Sequence, residues 1–139
     1  MALLFDEDYD YLNEAQLSFE EDEIQRLLVL KNYPLPKGMY VSNGTPIQEA
    51  EVLVVIPNNY NTEGIDMIWT YPYLLRADGK AIPATSPVGG GDPRHLNGKE
   101  YCRWSRHWNT ESWKSKEDNI VKILSRIEWA LQNPDAKQP

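Results

Sequence analysis

The chain has 139 residues, 41% of them apolar and 11% aromatic, and carries a net charge of −7. That length fits one domain, 1–139, and is too short for a TIM barrel or a two-domain dehydrogenase. The aromatic content excludes a disordered chain, and no apolar run approaches the roughly 20 residues that cross a bilayer. The N-terminus turns acidic at Asp6 and lacks the basic start of a secretory signal, so a cytoplasmic protein is expected. Cys102 is the only cysteine, which excludes an internal disulfide.

Charge is unevenly placed. The first 25 residues hold nine acids and no Lys or Arg. They read as a solvated helix face with a turn, or as a docking surface for a basic partner. Arg94–Lys116 holds six basic residues against Glu100 and Glu111, and it encloses Cys102. Basic neighbours stabilise a thiolate, so a lowered Cys102 pKa is expected.

Asp8–Leu17 reads as a short helix with Tyr9, Leu12 and Leu17 inward, broken by the acids Glu20–Glu23. Ile24–Lys31 is rich in β formers and predicts a strand. Asn32–Gly38 is a turn segment, Met39–Ser42 starts a second strand, and Asn43-Gly44 is a turn signal. Ala50–Ile56 is the clearest strand, ended by Pro57-Asn58-Asn59, and Asp66–Thr70 is a fourth. Residues 24–70 thus predict an antiparallel meander of about four strands. Ala77–Asn97, with three prolines and Gly89-Gly90-Gly91, reads as a long irregular loop of the kind that is usually functional or mobile. No Gly-Lys-Ser/Thr follows the glycines, so they are not a phosphate loop. Ser115-x-x-Asp118 resembles a capping box. Beyond it Ile120, Leu124, Ile127 and Leu131, joined by Val121 and Ile123, fall at helical spacing until Asn133-Pro134.

The chemistry concentrates in Tyr101-Cys102-Arg103-Trp104-Ser105-Arg106-His107-Trp108. A lone cysteine among arginines at the end of a long loop is a candidate nucleophile, and equally a small buried hydrophobe. His107 is a general base or an oxyanion donor, or an orienting surface histidine. His95 and Asn97 are further donors if the loop folds back, while Asn97-Gly98 reads equally as an ordinary turn. Cys102, His95 and His107 lack the paired spacing of a metal site. Tryptophans among basic residues can stack nucleic acid, but the net acidity argues against it.

The order of helix, meander, proline-rich loop, lone cysteine, tryptophan and amphipathic helix resembles the ubiquitin-conjugating enzyme fold, an α+β fold. Ala50–Pro57, Tyr60 and Asp66–Thr70 resemble two of its strands with the flap between them. Tyr101-Cys102 resembles the Ile-Cys of its active-site segment. Trp113-Lys114-Ser115 resembles its Trp-Ser-Pro turn, and Asn133-Pro134-Asp135 the stretch behind its helix. A bacterial branch is closer still. It resembles this chain in Lys31-Asn32-Tyr33-Pro34-Leu35-Pro36, in Asp66-Met67-Ile68-Trp69 and in Arg103-Trp104-Ser105-Arg106-His107. The familiar His-Pro-Asn before the cysteine is absent, with His95-Leu96-Asn97 its nearest echo. The first helix is acidic where the eukaryotic enzymes are basic.

The resemblance implies a transferase without cofactor. Its partners would be a ubiquitin-like modifier, an activating enzyme and a target protein, with no nucleic acid and no membrane. Members of the branch occur beside such modifiers, activating enzymes and deconjugating peptidases, in cassettes several of which are linked to defence against phage. Cys102 would carry the modifier as a thioester, and His107 or Asn97 would stabilise the oxyanion. Arg103, Arg106 and Trp104 would contact the modifier, the arginines also holding Cys102 ionised and Trp104 also packing the active-site segment. The alternative is an inactive adaptor of the same fold.

Overall fold

The structure, a computed structural model, describes residues 2–108 and 112–139. The first helix, α1 (Asp6–Glu14), begins two residues before the predicted start. The Asp8 carboxylate accepts the Phe5 N–H at 3.0 Å and so satisfies one of the orphan donors of the first turn. The helix stops before Leu17. Gln16 turns to φ +58°, its N–H reaches the Asn13 carbonyl, and the Leu17 N–H reaches back to Leu12. That pair of bonds is a Schellman closure, with Gln in the place usually held by Gly.

Nine strands follow among the described residues: β1 (Phe19–Asp22), β2 (Leu27–Pro34), β3 (Tyr40–Ser42), β4 (Thr45–Pro46), β5 (Glu49–Val55), β6 (Ile68–Tyr71), β7 (Leu75–Arg76), β8 (Arg94–Leu96) and β9 (Lys99–Trp104). The main sheet is antiparallel in the order β1-β2-β5-β6-β9-β8, and β4-β3-β7 form a small second sheet. The predicted meander therefore needs correction at two points. Glu20–Glu23 does not simply break the chain, because Phe19–Asp22 pairs with Leu27–Leu30 as an edge strand. Acidic side chains suit an edge, where one side faces water and charge discourages further pairing. Met39–Ser42 leaves the main sheet and pairs instead with β4 and β7.

The two Asn-Gly pairs make hairpin turns. Asn43 and Gly44 have φ of +50° and +76° between β3 and β4, and Asn97 and Gly98 have +53° and +77° between β8 and β9. Both φ values must be positive in the two-residue turn whose twist matches its strands. The predicted irregular loop thus ends in a strand, β8, and Cys102 sits inside β9 rather than at a loop end.

The second helix, α2 (Ile120–Gln132), is capped by Asn119, whose side chain accepts the Val121 N–H at 2.9 Å. This replaces the predicted Ser115–Asp118 box. Asp118 serves the preceding turn by accepting the Lys114 N–H at 2.7 Å. Ile120, Ile123, Ile127 and Leu131 are buried as expected, but Val121 faces solvent and Arg126 is buried in its place.

Strand alternation divides the core into two. Leu28, Leu30, Val52, Val54, Ile68 and Trp104 meet Leu12 and the apolar stripe of α2. Leu27, Val29, Leu53, Trp69 and Tyr101 form a smaller cluster on the outer face. The tip of the β8–β9 hairpin folds across this outer face, where Leu96 packs on the cluster and the Asn97 amide donates to Glu20 on β1.

Asp8 also fixes the helices to each other. It is 2% exposed, and its second oxygen accepts the Ile120 N–H at the start of α2, 3.1 Å away. Replacing Asp8 by Ala leaves two helix-terminal donors unmatched and is expected to cost about 2–4 kcal/mol. Urea unfolding of Asp8→Ala against the parent measures it, and a loss below about 0.5 kcal/mol would contradict the role.

Candidate functional site

Cys102 lies in the middle of β9, with its Cα opposite Thr70 of β6. Alternation puts it on the same face as Trp104, towards the helix layer. On the other edge of β9, Arg94 pairs with Tyr101, and further along Thr85 pairs with Trp104. The thiol is 2% exposed. Burial pushes its pKa up, and the Glu100 carboxylate pushes it further the same way. The expected lowering by basic neighbours does not occur, because those neighbours face elsewhere.

Arg103 points to the outer face and reaches Asp92 at 3.3 Å. Arg106 is buried, with its guanidinium 5.0 Å from the Trp104 ring centroid and Nη1 donating to the Pro83 and Ser105 carbonyls at 3.1 and 2.8 Å. Desolvation lowers the Arg106 pKa. Trp104 is a core side chain, 2% exposed, which fits the packing role expected of it but offers a modifier almost no surface.

The candidate oxyanion donors stand apart from the thiol. Asn97 is at the hairpin tip, five residues from Cys102 and so about 16 Å away along the strand. Its amide is engaged by Glu20. His95 is exposed on β8 with Nε2 3.5 Å from Glu100. His107 lies beyond the end of β9, its backbone N–H bonded to the Lys137 carbonyl at 2.9 Å. The structure thus places Asn97, Cys102 and His107 at the tip, the middle and beyond the far end of one hairpin. Among the described residues, no three His, Cys, Asp or Glu side chains gather as metal ligands would.

His107 belongs to a groove of about 520 Å³ that Cys102 does not line. Three donors from the C-terminal half build its wall by binding backbone carbonyls of one loop. Trp113 Nε1 donates to Asn61 at 2.9 Å, Trp108 Nε1 to Asp66 at 2.7 Å and Arg126 Nη1 to Ile65 at 2.5 Å. The Arg126 guanidinium lies 5.0 Å from the Trp108 ring and 5.7 Å from the Trp113 ring. The sequence reading missed Arg126. Its signal is an arginine on the apolar stripe of α2, downstream of the tryptophans that receive it. Gly64 completes the wall, since a Cβ there would fall 2.1 Å from the Trp113 ring.

A second polar centre sits on the outer face. Glu51 accepts from Lys99 at 2.6 Å and Tyr101 Oη at 2.7 Å, and pairs with Lys31 at 3.1 Å. Burial works against the Glu51 charge, but these partners outweigh it and hold the carboxyl below its usual range.

An α+β chain whose curled antiparallel sheet is backed by two helices, with its one cysteine on the strand before the last helix, is compatible with the E2-like fold. The chain belongs to the prokaryotic E2 family E, which matches residues 4–134. That membership places it among E2-like proteins of modifier conjugation, which engage a modifier and its activating enzyme. Comparison with curated proteins and with solved structures finds no match. No helix among the described residues is long and apolar enough to cross a membrane.

Two measurements test this geometry. Gly64→Ala must displace the Trp113 indole and is expected to cost about 1–3 kcal/mol, with a change in tryptophan fluorescence. Unchanged unfolding and fluorescence would show that the wall is not rigid there. A raised thiol pKa keeps Cys102 protonated at neutral pH, so thiolate rises with pH. Its reaction rate with an electrophile should climb about tenfold per pH unit between roughly 6.5 and 8.5. A plateau below pH 7.5 would mean a lowered pKa.

Proposed function

We propose that the chain accepts a ubiquitin-like modifier from an activating enzyme as a thioester on Cys102 and passes it to a target protein. Membership of the family over residues 4–134, with Cys102 the chain's only thiol, carries this reading. In the first step the Cys102 thiolate attacks the carbonyl carbon of the modifier's thioester. The bond to the activating enzyme's sulfur breaks, and that sulfur leaves as thiolate. In the second step an acceptor amine or hydroxyl attacks the same carbon, loses a proton and expels the Cys102 thiolate. Exchange of one thioester for another is nearly isoenergetic, so positioning supplies most of the catalysis.

The residues around Cys102 divide the work differently from the sequence expectation. Asn97 is held by Glu20 and His107 lies beyond the far end of β9, so either meets an oxyanion on Cys102 only if its segment moves towards the thiol. Arg103 stands on the outer face, away from the thiol and paired with Asp92, whereas buried Arg106 holds the strand and its neighbouring loop. A second reading is a non-catalytic adaptor that binds the modifier or the activating enzyme. The burial of Cys102 and the upward push on its pKa favour it.

A charging assay separates the two. The chain is mixed with its activating enzyme, its modifier and ATP and run on non-reducing gels. A modifier-sized shift that thiol removes, absent from Cys102→Ala, is the expected outcome. Cys102→Ser should give an ester that survives thiol. No shift beside a demonstrably charged activating enzyme would leave the adaptor.

A further inference from the structure

Cys102 is closed off in a chain whose proposed chemistry needs it open. The segment 82–89 runs along the β9 edge beside it. Ser86 N–H donates to the Arg103 carbonyl at 3.0 Å, Ser105 N–H to the Ala84 carbonyl at 2.9 Å, and Arg106 Nη1 to the Pro83 carbonyl at 3.1 Å. Ile82 packs on the same core cluster as Trp104. Beyond these anchors the segment is thinly held. Ala84 and Pro87–Gly89 are exposed, Pro83 and Pro87 lack donors, and the Gly89 N–H donates to Glu100 at 2.6 Å.

The closed arrangement also strands polar groups. Thr70, opposite Cys102, is 0% exposed, and its hydroxyl has no hydrogen-bond partner among the described residues. Arg106 is 1% exposed, and its Nε and Nη2 are likewise unpartnered. Buried donors without partners penalise the state that buries them. Opening this edge to water, or to a modifier's tail, would satisfy the Arg106 donors, since the segment itself holds that guanidinium through Pro83. A few backbone bonds holding a proline-rich segment over unsatisfied donors is the make-up of a unit that opens well below global unfolding.

We propose that residues 82–89 form a strap that latches Cys102 closed, and that the strap peels from β9 to admit the modifier. The proposal rests on the reading of Cys102 as the residue that carries the modifier. Its test needs neither modifier nor activating enzyme, so the two can fail separately.

The test is alkylation of the native protein with iodoacetamide, followed by intact mass, which reports the single thiol. The wild-type rate should be at least about a hundredfold below that of the urea-unfolded chain, and nearly independent of urea below the unfolding transition. Ser86→Pro removes one anchoring donor and should raise the native rate at least about tenfold with little change in the unfolding midpoint. A wild-type rate equal to that of the unfolded thiol would overturn the latch. So would a rate that rises with urea in step with global unfolding, or a folded Ser86→Pro that reacts no faster. Should Ser86→Pro fail to fold, the urea series on the wild type decides alone.

Discussion

The buried carboxylate of Asp8 holds the helix layer together. It accepts the backbone N–H that precedes α1 and the backbone N–H that begins α2. Each helix presents the positive end of its dipole at its N-terminus, so one negative group serves both. The bond to Ile120 joins residues 112 positions apart, and it fixes where the apolar stripe of α2 meets the sheet. The inner core of Leu12, Val52, Ile68, Ile123 and Ile127 can then close between them. Everything that reaches from α2 to the groove, Arg126 above all, depends on that placement.

What was legible in the sequence was periodicity. Ala50–Ile56 read as a strand because β5 is buried on both faces, which leaves an unbroken apolar run. The helix after Asn119 read correctly because its stripe repeats every three or four residues. The edge strand β1 was hidden by its own acids, since pairing with β2 decides its state and local composition does not. Asp8 was hidden among nine acids, because nothing in one dimension distinguishes a buried carboxylate from its solvated neighbours.

The surroundings of Cys102 show a different limit. Counting charges along Arg94–Lys116 treats every neighbour as near. A strand sends alternate side chains to opposite faces, so Arg103 stands on the far side from Cys102 and finds Asp92. Arg106 is taken up by Trp104 and the Pro83 carbonyl. Glu100 remains, with the wrong sign to stabilise a thiolate. Direction therefore reverses the electrostatic conclusion drawn from proximity. Asn97 was weighed as a donor and as a turn, and the positive φ of Asn97 and Gly98 shows the turn.

The same turn has a consequence for how the molecule behaves among its copies. An open sheet offers two rows of unpaired backbone groups, and each invites a strand from a neighbour. Here the hairpin that carries one border strand arches over the outer face until its tip meets Glu20 on the opposite border. That opposite border is itself a short row of acids. The curl and the charge together deny a flat, neutral template to an incoming chain. Crowded copies of this protein are thereby guarded against edge-to-edge stacking by the same loop tip that the sequence offered as a catalytic donor.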